Sequence, residues 1–385
     1  MAGWDWLTKP QAGYNWGFVG RVVIKALGLF VLLNLLFALA APLPFLGRLS
    51  LYNSLFPGRE RLPYGENPAQ SYNLSLDNLD AMFASHVVAA PKAADEYRVL
   101  LLGDSSTWGY LLPPTDTLAA MLNAAGLHTD DGRRVQVYNL GYPIMSLTKD
   151  LVLLDYGMST EPDLIVWLVT LESFPRDKQL YPPLLQHNPT VVRGLITRYD
   201  LALNPADPRF VDPDFWGRTL VGQRRELNDL LRLQLYGVPW ALTGIDQYIP
   251  ETFTLRQSDF EADVSWQDYT EPVALTTENL AFDALSAGMA LAGDVPVLLI
   301  NEPMFISTGQ NSDLRYNFFY PRWAYDAYHA LLDDQAEAND WRFVDLWDAL
   351  PADEFTDSPV HYTPAGAQRL AEQVAPPLLA LANGE

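Results

Sequence analysis

Short apolar segments alternate with segments of helical periodicity from residue 97 onward, and this alternation restricts the possible folds more than any other feature. Residues 97–103, 134–140 and 164–169 have the length and composition of buried strands. Residues 117–127 and 147–158 have helical spacing and separate these three runs. Strands that alternate with helices in this way indicate a parallel sheet with helices on both faces.

The same pattern resumes near the end of the chain. Residues 295–301 and 342–346 predict two further strands, and helical spacing recurs at 277–292, 324–338 and 366–381. Five such strands predict an α/β fold with a flavodoxin-like, doubly wound parallel sheet over residues 96–385. In sheets of this kind the binding sites lie at the carboxyl ends of the strands.

A long insertion separates the third and fourth predicted strands. It covers residues 174–271, is rich in Pro, Trp, Tyr and Asp, and has its best helical pattern at 223–235. Insertions of this length at strand ends usually shape a binding site or a partner surface.

The N-terminal part of the chain predicts a membrane segment. Residues 26–46 contain no charged side chain, and a run of roughly 20 apolar residues is enough to cross a bilayer. We therefore predict a juxtamembrane segment at 1–25, a transmembrane helix at 26–46 and a connector at 47–95, with a short helix near 76–84. The residues that precede the run, Trp4, Trp6, Tyr14, Trp16 and Phe18, are typical of an interfacial aromatic belt.

Two other interpretations of the apolar run stay open. It can be a signal peptide cleaved at the small residues Ala38-Leu39-Ala40, or a buried helix of the globular domain. The basic residues are balanced, with Lys9, Arg21 and Lys25 before the run and Arg48, Arg59 and Arg61 after it. Arg21 and Lys25 directly precede the run, and this favours a single-pass protein with its N-terminus inside and its large domain extracytoplasmic.

Composition excludes several classes of function. Lys and Arg number 25 against 47 Asp and Glu, so the formal net charge is -22. A chain this acidic lacks the basic surface of a nucleic-acid-binding protein. The absence of cysteine excludes disulfides, thiolate catalysis and Cys-type metal sites. No metal motif, phosphate-binding loop or dinucleotide fingerprint is present, so we expect neither a metal nor a cofactor.

The first predicted strand ends in Gly103-Asp104-Ser105. A serine between a strand and a helix can expose its hydroxyl where backbone N–H groups point at a developing oxyanion. The alternative is an ordinary polar helix cap. Because position 107 is Thr, the Gly-x-Ser-x-Gly elbow of α/β-hydrolases is not indicated.

A candidate base lies near the end of the chain. His361 is one of only 5 histidines and follows the fifth predicted strand in a short loop that also holds Asp357. A nucleophilic serine needs a base to take its proton, and the base needs an acid to hold its tautomer. His361 and Asp357 supply both groups, although His361 can also be a structural loop histidine.

These residues resemble the short sequence blocks of the SGNH (GDSL) hydrolases. Gly103-Asp104-Ser105 is similar to the first block, Asn139-Leu140-Gly141-Tyr142-Pro143 to the second, and the segment from Asp357 to His361 to the last. The resemblance covers residues 95–380 without the insertion. It implies the SGNH fold, Ser105 as nucleophile, and an oxyanion hole that uses the backbone N–H groups of Ser105 and Gly141.

Two features depart from the family pattern. Where the family has Gly-x-Asn-Asp after the third strand, this chain has Thr170-Leu171-Glu172-Ser173, and Glu172 takes the position of the oxyanion-binding Asn. An ionised carboxylate would repel the oxyanion, so Glu172 must be protonated, turned away or engaged elsewhere. Thr170, Ser173 or Asn301 can donate in its place. In addition, the usual Asp-x-x-His has become Asp-x-x-x-His.

Three further predictions concern substrate contacts. Asp104 and Glu172 flank the proposed reaction centre, and Glu302 follows the fourth predicted strand at the same edge of the sheet. We predict that all three contact substrate, although Glu302 can also belong to a structural turn. The aromatic stretch 311–323 can line an acyl pocket, meet the membrane surface or form a packed loop.

Three functions are compatible with the sequence. The first is an extracytoplasmic esterase or deacylase acting on acyl esters or on envelope carbohydrate or lipid esters. The second is a cell-envelope O-acyltransferase that works with a multi-span membrane partner. The third is a degenerate SGNH-fold subunit of a membrane complex. In each case the N-terminal helix would bind the lipid bilayer.

Overall fold

A computed structural model describes residues 15–65, 70–72 and 74–385. The chain forms two compact units. The smaller comprises the chain up to Pro44 together with Pro213–Asn228, and the larger comprises Phe45–Asp212 with Asp229–Glu385. The predicted aromatic belt residues Trp4, Trp6 and Tyr14, like Lys9, lie outside the described residues.

The smaller unit contains one long apolar helix, α1 (Trp16–Ala40), in which an 18-residue stretch has a mean hydropathy of 2.5. It is the one helix among the described residues that is long and apolar enough to cross a membrane. The predicted bounds of 26–46 were wrong. The helix already begins at Trp16, because the side chain of Asn15 caps it by accepting the Phe18 N–H. It ends where Ala41 adopts a left-handed φ of 42° before Pro42.

In the part of α1 that follows Lys25, Asn34 is the one polar residue. Asn34 donates from Nδ2 to the carbonyl of Phe30 at 2.9 Å. Its Oδ1 accepts the backbone N–H of Val221, at 3.0 Å, from the second segment of the same unit. The amide is thus satisfied on both sides, as a polar group on an apolar helix requires.

The larger unit is built on a five-stranded parallel sheet. Its strands are β1 (Glu96–Leu102), β2 (Arg134–Asn139), β3 (Leu164–Val169), β4 (Val297–Asn301) and β5 (Arg342–Asp345). Their order in the sheet is β2-β1-β3-β4-β5, which confirms the predicted flavodoxin-like topology. The central strands β1 and β3 are buried along their whole length, which explains why they are continuous apolar runs in the sequence.

Helices flank this sheet, and most lie close to their predicted positions. In chain order they are α2 (Leu43–Gly47), α3 (Tyr52–Leu55), α4 (Leu79–Ser85), α5 (Ser105–Trp108), α6 (Leu118–Ala124), α7 (Leu147–Gly157), α8 (Pro183–Gln186), α9 (Pro189–Tyr199), α10 (Arg224–Thr243), α11 (Phe282–Ala292), α12 (Arg322–Ala338) and α13 (Pro364–Ala382).

The largest differences from the predicted helices fall in or beside the insertion. Helix α9 was not predicted, and α10 continues well past the predicted 223–235. The predicted helix 277–292 begins only at Phe282, because the Asn279 side chain accepts the Thr276 N–H and holds residues 276–279 in a turn. Since all five strands run parallel, the segments that follow them meet at one edge of the sheet.

Candidate active site

The segment after β1 is a tight turn that places Ser105 at the start of α5. Asp104 caps this helix, its carboxylate accepting the Ser106 N–H at 2.7 Å. A Cβ at position 103 would lie 2.2 Å from Oγ1 of Thr107, so only glycine fits there. Asp104 is 3% exposed and holds the turn, and its predicted contact with substrate stays a prediction.

The loop after β5 brings a histidine and a carboxylate to this turn. His361 Nε2 lies 2.9 Å from Ser105 Oγ. On the other side of the ring, Nδ1 lies 2.9 Å from Oδ1 of Asp357. These two hydrogen bonds have the connectivity of a Ser-His-Asp triad. The three residues that the sequence singled out as nucleophile, base and acid therefore lie together.

The surroundings of the loop favour an ionised Asp357. Partial burial acts to raise the pKa of this carboxyl, but the hydrogen bond and charge of His361 outweigh burial and hold the pKa below its ordinary value. Thr356 donates a further hydrogen bond to Oδ1 at 3.1 Å. The ring of Tyr110 packs on His361 with a centroid distance of 4.6 Å. The imidazole is thereby fixed on two sides.

These features decide the fold family. A parallel sheet of this strand order carries Gly-Asp-Ser after β1 and an Asp/His loop after β5. The chain has the fold of the SGNH (GDSL) hydrolases.

Several solved structures are similar to this chain. A carbohydrate acetylesterase family member from Sinorhizobium meliloti is 13% identical over 75% of this chain and 99% of that one, with a TM-score of 0.33. A GDSL lipolytic protein from Veillonella parvula is 12% identical over 72% and 95%, with a TM-score of 0.34. A lipase/acylhydrolase from Enterococcus faecalis is 14% identical over 74% and 96%, with a TM-score of 0.35.

Similarity at these identities and TM-scores supports no inference about substrate or catalytic residues. No protein-family model and no curated protein sequence matches the chain. The chemistry of this SGNH-fold site depends on the side chains that form it.

Three of the predicted oxyanion donors are already engaged within the chain. The Gly141 N–H donates to Oδ1 of Asn139 at 3.0 Å. The Thr170 hydroxyl pairs with that of Tyr320 at 2.9 Å. Asn301 Nδ2 donates to Asp345 at 2.9 Å, and the tyrosines Tyr325 and Tyr328 donate to its Oδ1.

These contacts give the three residues structural roles, and their predicted role as oxyanion donors stays a prediction. Asn301 is fully buried and serves the packing beneath the sheet edge. Thr170 is likewise buried. A Cβ at Gly141 would lie 2.6 Å from the backbone nitrogen of Trp108, so this glycine allows two loops to approach closely. Among Ser105, Gly141, Thr170 and Asn301, only the backbone N–H of Ser105 makes no hydrogen bond within the part of the chain that the structure describes.

Glu172 is engaged by residues other than the triad. Gln267, in the insertion, donates to both of its carboxylate oxygens, at 3.0 and 2.9 Å. Lys178 donates to Oε1 at 3.1 Å. Of the options left open by the sequence, engagement elsewhere is the one realised. The carboxylate fastens the insertion to the segment after β3, and its predicted contact with substrate stays a prediction.

Glu302 is also structural. It is 1% exposed, and its Oε2 accepts hydrogen bonds from the hydroxyls of Ser106 and Tyr362. Burial, with the nearby charge of Asp104, raises the pKa of Glu302 well above its ordinary value. The Glu302 carboxyl links the nucleophile turn to the histidine loop, and its burial leaves the predicted substrate contact without support.

Sequence reasoning missed a buried ion pair under the nucleophile turn. Lys149 and Asp150 begin α7 and are almost fully buried, with Nζ 2.8 Å from Oδ1. Lys149 also donates to the carbonyls of Gly103 and Tyr142, at 2.8 and 2.6 Å. Burial raises the pKa of Asp150 to about 6, although Lys149 acts to lower it. The available signal was a pair of charges directly before the apolar residues 151–154.

A second histidine also pairs with a carboxylate, at the end of β5. His329 Nε2 lies 2.6 Å from Asp345 Oδ2, and this hydrogen bond raises the pKa of His329. Asp333 completes a group whose ligand atoms lie within 4.8 Å of one another. The sequence offered no ligand spacing for His329, because β5 brings Asp345 beside it only in the folded chain. We interpret the group as an ion pair.

Proposed function

We propose that this chain is a serine esterase or deacylase that cleaves acyl or carbohydrate esters through an acyl-serine intermediate. The observation that supports the proposal is the hydrogen-bond chain from Ser105 Oγ through His361 to Asp357, with both distances at 2.9 Å. A serine hydroxyl is a weak nucleophile unless a base of this kind removes its proton.

The proposed reaction has two balanced steps. In the first, Ser105 Oγ attacks the ester carbon while His361 Nε2 takes the hydroxyl proton, and His361 then protonates the departing alcohol oxygen. In the second, His361 removes a proton from water, which attacks the acyl-serine carbon and releases the carboxylic acid. Throughout, Asp357 holds the Nδ1–H tautomer and stabilises the imidazolium.

The oxyanion site is expected to be weaker than in a fully equipped enzyme. The Ser105 N–H lies at the start of α5, where an oxyanion is favoured, but Gly141, Thr170 and Asn301 are engaged. Loss of one such donor typically costs about 2.7–4 kcal/mol of transition-state stabilisation. We therefore expect slow but measurable turnover of activated esters.

The proposal is tested by labelling the full-length protein in detergent with a fluorophosphonate probe. We expect wild-type protein to be labelled, Ser105→Ala to be unlabelled, and His361→Ala to react about 10²-fold or more slowly, because a general base contributes about that much. His128→Ala, which removes an exposed histidine, is the matched control and should react normally. Folded wild-type protein that is not labelled would refute the proposal and favour a non-catalytic membrane subunit.

A second candidate function is transfer of the acyl group to an envelope polymer. The helix α1, long and apolar enough to cross a membrane, favours it, because such a helix would hold the site near membrane-bound donors and partners. Chemically, transfer differs from hydrolysis only in the acceptor that resolves the acyl-serine. Product analysis with an added polyol acceptor separates them: an acylated polyol supports transfer, and free acid alone supports hydrolysis.

A further inference from the structure

A cavity of about 380 Å³ opens beside the histidine of the proposed triad. Its walls come from the connector, from the turn that follows α5 and from the insertion. The side chains that matter for its chemistry are Tyr64, Trp108, Tyr110, Tyr248, Phe253 and Asp357. A volume of this size is at the lower end of the range for small-molecule sites.

The cavity lies on the histidine side of the triad. Tyr110 lines it and packs on His361 with a centroid distance of 4.6 Å. Asp357 lines it too and holds His361 Nδ1. Because His361 must protonate the departing oxygen, the alcohol portion of a bound ester lies next to this ring. The cavity is therefore placed to receive the alcohol and not the acyl group.

The lining combines flat apolar faces with polar edges. Tyr64 and Trp108 meet edge to face at 5.7 Å, and Tyr248 and Phe253 remain 45% and 41% exposed. A sugar ring has the complementary character, with apolar C–H faces and hydroxyl edges. The net charge of -22 and the carboxylate of Asp357 oppose an anionic sugar.

The walls are fixed to one another by buried polar contacts. Arg61 is 1% exposed; it donates to the carbonyls of Gly109 and Leu112, at 2.8 and 2.9 Å, and pairs with Asp246. Gln247 donates to the same two carbonyls, at 3.1 and 2.6 Å. The insertion is thus fastened to the nucleophile turn, and a preformed cavity of this kind loses less entropy on binding.

We propose that this cavity binds the alcohol portion of the ester and that this portion is a neutral carbohydrate ring. The inference rests on the proposed esterase function and narrows its substrates to esters of a neutral carbohydrate.

The test compares esters that share an acetyl group and differ in the alcohol. The full-length protein is assayed with a mono-acetylated methyl glucoside and with methyl acetate, and the ratio of the two kcat/KM values is measured. Tyr248→Ala and Phe253→Ala should each lower this ratio about ten-fold. Phe318→Ala removes an aromatic ring that is 60% exposed and does not line the cavity; it should leave the ratio unchanged.

An unchanged ratio in both cavity variants would overturn the inference. If these variants also alter the preference among acetyl, butyryl and octanoyl esters of one alcohol, the cavity belongs to the acyl chain. Labelling of Ser105 by the fluorophosphonate keeps these results distinct from failure of the esterase proposal itself.

A different observation concerns the surface of α10. Leu231, Leu235, Val238 and Leu242 are 62%, 62%, 41% and 78% exposed. Their spacing of i, i+4, i+7 and i+11 places them on one face of the helix. We call these four residues the leucine face. A soluble surface helix would carry polar side chains there, so this face lacks a partner within the part of the chain that the structure describes.

The leucine face continues onto the segment around α3. The Leu51 N–H donates to Oε1 of Gln234 in α10 at 2.7 Å, so the two segments adjoin. Leu51 and Leu55 are 53% and 70% exposed. Together they extend one apolar surface, of the kind that marks a membrane or protein interaction site.

We infer that this surface lies in the apolar boundary of a lipid bilayer, the one that α1 is proposed to cross. The short sequence separation supports the inference, because α1 ends at Ala40 and Leu51 follows soon after it in the sequence. The domain as a whole is strongly acidic, so attachment through apolar area, and not through attraction to anionic lipid, fits its charge.

The absence of cysteine permits a direct test. Full-length Leu235→Cys carries a polarity-sensitive fluorophore and is reconstituted in lipid nanodiscs with or without brominated acyl chains. We expect a blue-shifted emission that loses intensity in the brominated discs. Gln368→Cys, at an exposed position of α13, is the control and should show neither effect. Equal intensity of the Leu235→Cys probe in both discs would overturn the inference and point to a protein partner instead.

Discussion

At the scale of single residues, the loop between Asp357 and His361 explains how a departure from the family spacing is accommodated. Thr356 N–H donates to the carbonyl of His361 at 2.8 Å, and this bond closes the loop around the intervening residues. The extra residue is absorbed inside the closed loop, so that Asp357 still reaches Nδ1 at 2.9 Å. Spacing in sequence was therefore a poor measure of whether the acid could function.

We predict that Asp357→Asn lowers the rate of fluorophosphonate labelling by about 10⁴-fold, because an amide at this position favours the wrong imidazole tautomer. The rate constant for labelling is measured against wild-type protein. Asp353→Asn, which alters an exposed carboxylate four residues earlier, should react normally. A loss of less than ten-fold in Asp357→Asn would show that the orienting group lies elsewhere.

Glu302 gives a prediction about pH. Its pKa is raised well above 4.5 in the folded chain, chiefly by burial. Below its ordinary pKa, folded and unfolded chains both hold the proton, and the carboxyl causes no loss of stability. As pH rises toward the folded pKa, the unfolded chain releases its proton first, so this contribution to stability is progressively lost.

Glu302→Gln keeps a neutral side chain of the same shape and removes this titration. We expect its Tm, relative to wild type, to increase as the pH rises above about 4.5, the ordinary pKa of the carboxyl. Glu337→Gln, at an exposed position of α12, should show no such trend. A difference in Tm that stays constant with pH would indicate that Glu302 is ionised in the folded protein.

Residue types and order were sufficient to predict the serine, the histidine and the acid, since each follows a strand at the same sheet edge. The roles of Glu172, Asn301 and Glu302 could not be predicted in the same way. Their partners, among them Gln267, Asp345 and Ser106, are distant in sequence. A carboxylate near a site has the same sequence signature whether it contacts substrate or supports the backbone.

At the scale of secondary-structure elements, Lys149 connects the segments that follow β1 and β2. Lys149→Met removes the donor to two carbonyls and leaves Asp150 buried without its cation. We expect this variant to lose about 3–5 kcal/mol of unfolding free energy. The double variant Lys149→Met/Asp150→Leu should recover part of the loss, measured by chemical denaturation. A double variant less stable than the single one would contradict a coupled pair.

The loop after β2 contains a strained residue. Ile144 has a φ of 74°, in a region that costs an L-residue about 1–2 kcal/mol and that β-branched residues avoid. We predict that Ile144→Asn raises the unfolding free energy by about 1 kcal/mol, because asparagine tolerates this conformation. Ile245→Asn, at an exposed isoleucine without a positive φ, is the matched control and should give no gain.

The elements themselves were predictable where periodicity was strong. Each strand lies within two residues of its predicted bounds. For β1 and β3 the reason is burial along the whole strand, which demands a continuous apolar run. Helix α9 was missed because its apolar residues are interrupted by Arg193 and Gly194. The start of α1 was missed because Arg21 and Lys25 were treated as flanking charges, although nothing in their backbone chemistry ends a helix.

At the scale of the whole molecule, α1 determines how the protein would meet a membrane. Its 25 residues span about 37 Å at 1.5 Å per residue, which exceeds the roughly 30 Å of a hydrocarbon core. Arg21 and Lys25 lie near the N-terminal end of this helix, where their long side chains can reach the membrane–water interface. This position favours an N-terminus inside and a large domain outside.

The predicted orientation can be measured because the chain has no cysteine of its own. In spheroplasts, we expect Gln368→Cys to react with a membrane-impermeant maleimide directly, and Gly17→Cys only after permeabilisation. Full-length protein should also remain in the membrane after an alkaline wash. The reverse pattern of labelling would place the domain inside, because the two cysteines lie on either side of the apolar part of α1. Release by the wash, with an N-terminus mapped to Ala41, would instead identify the helix as a cleaved signal peptide.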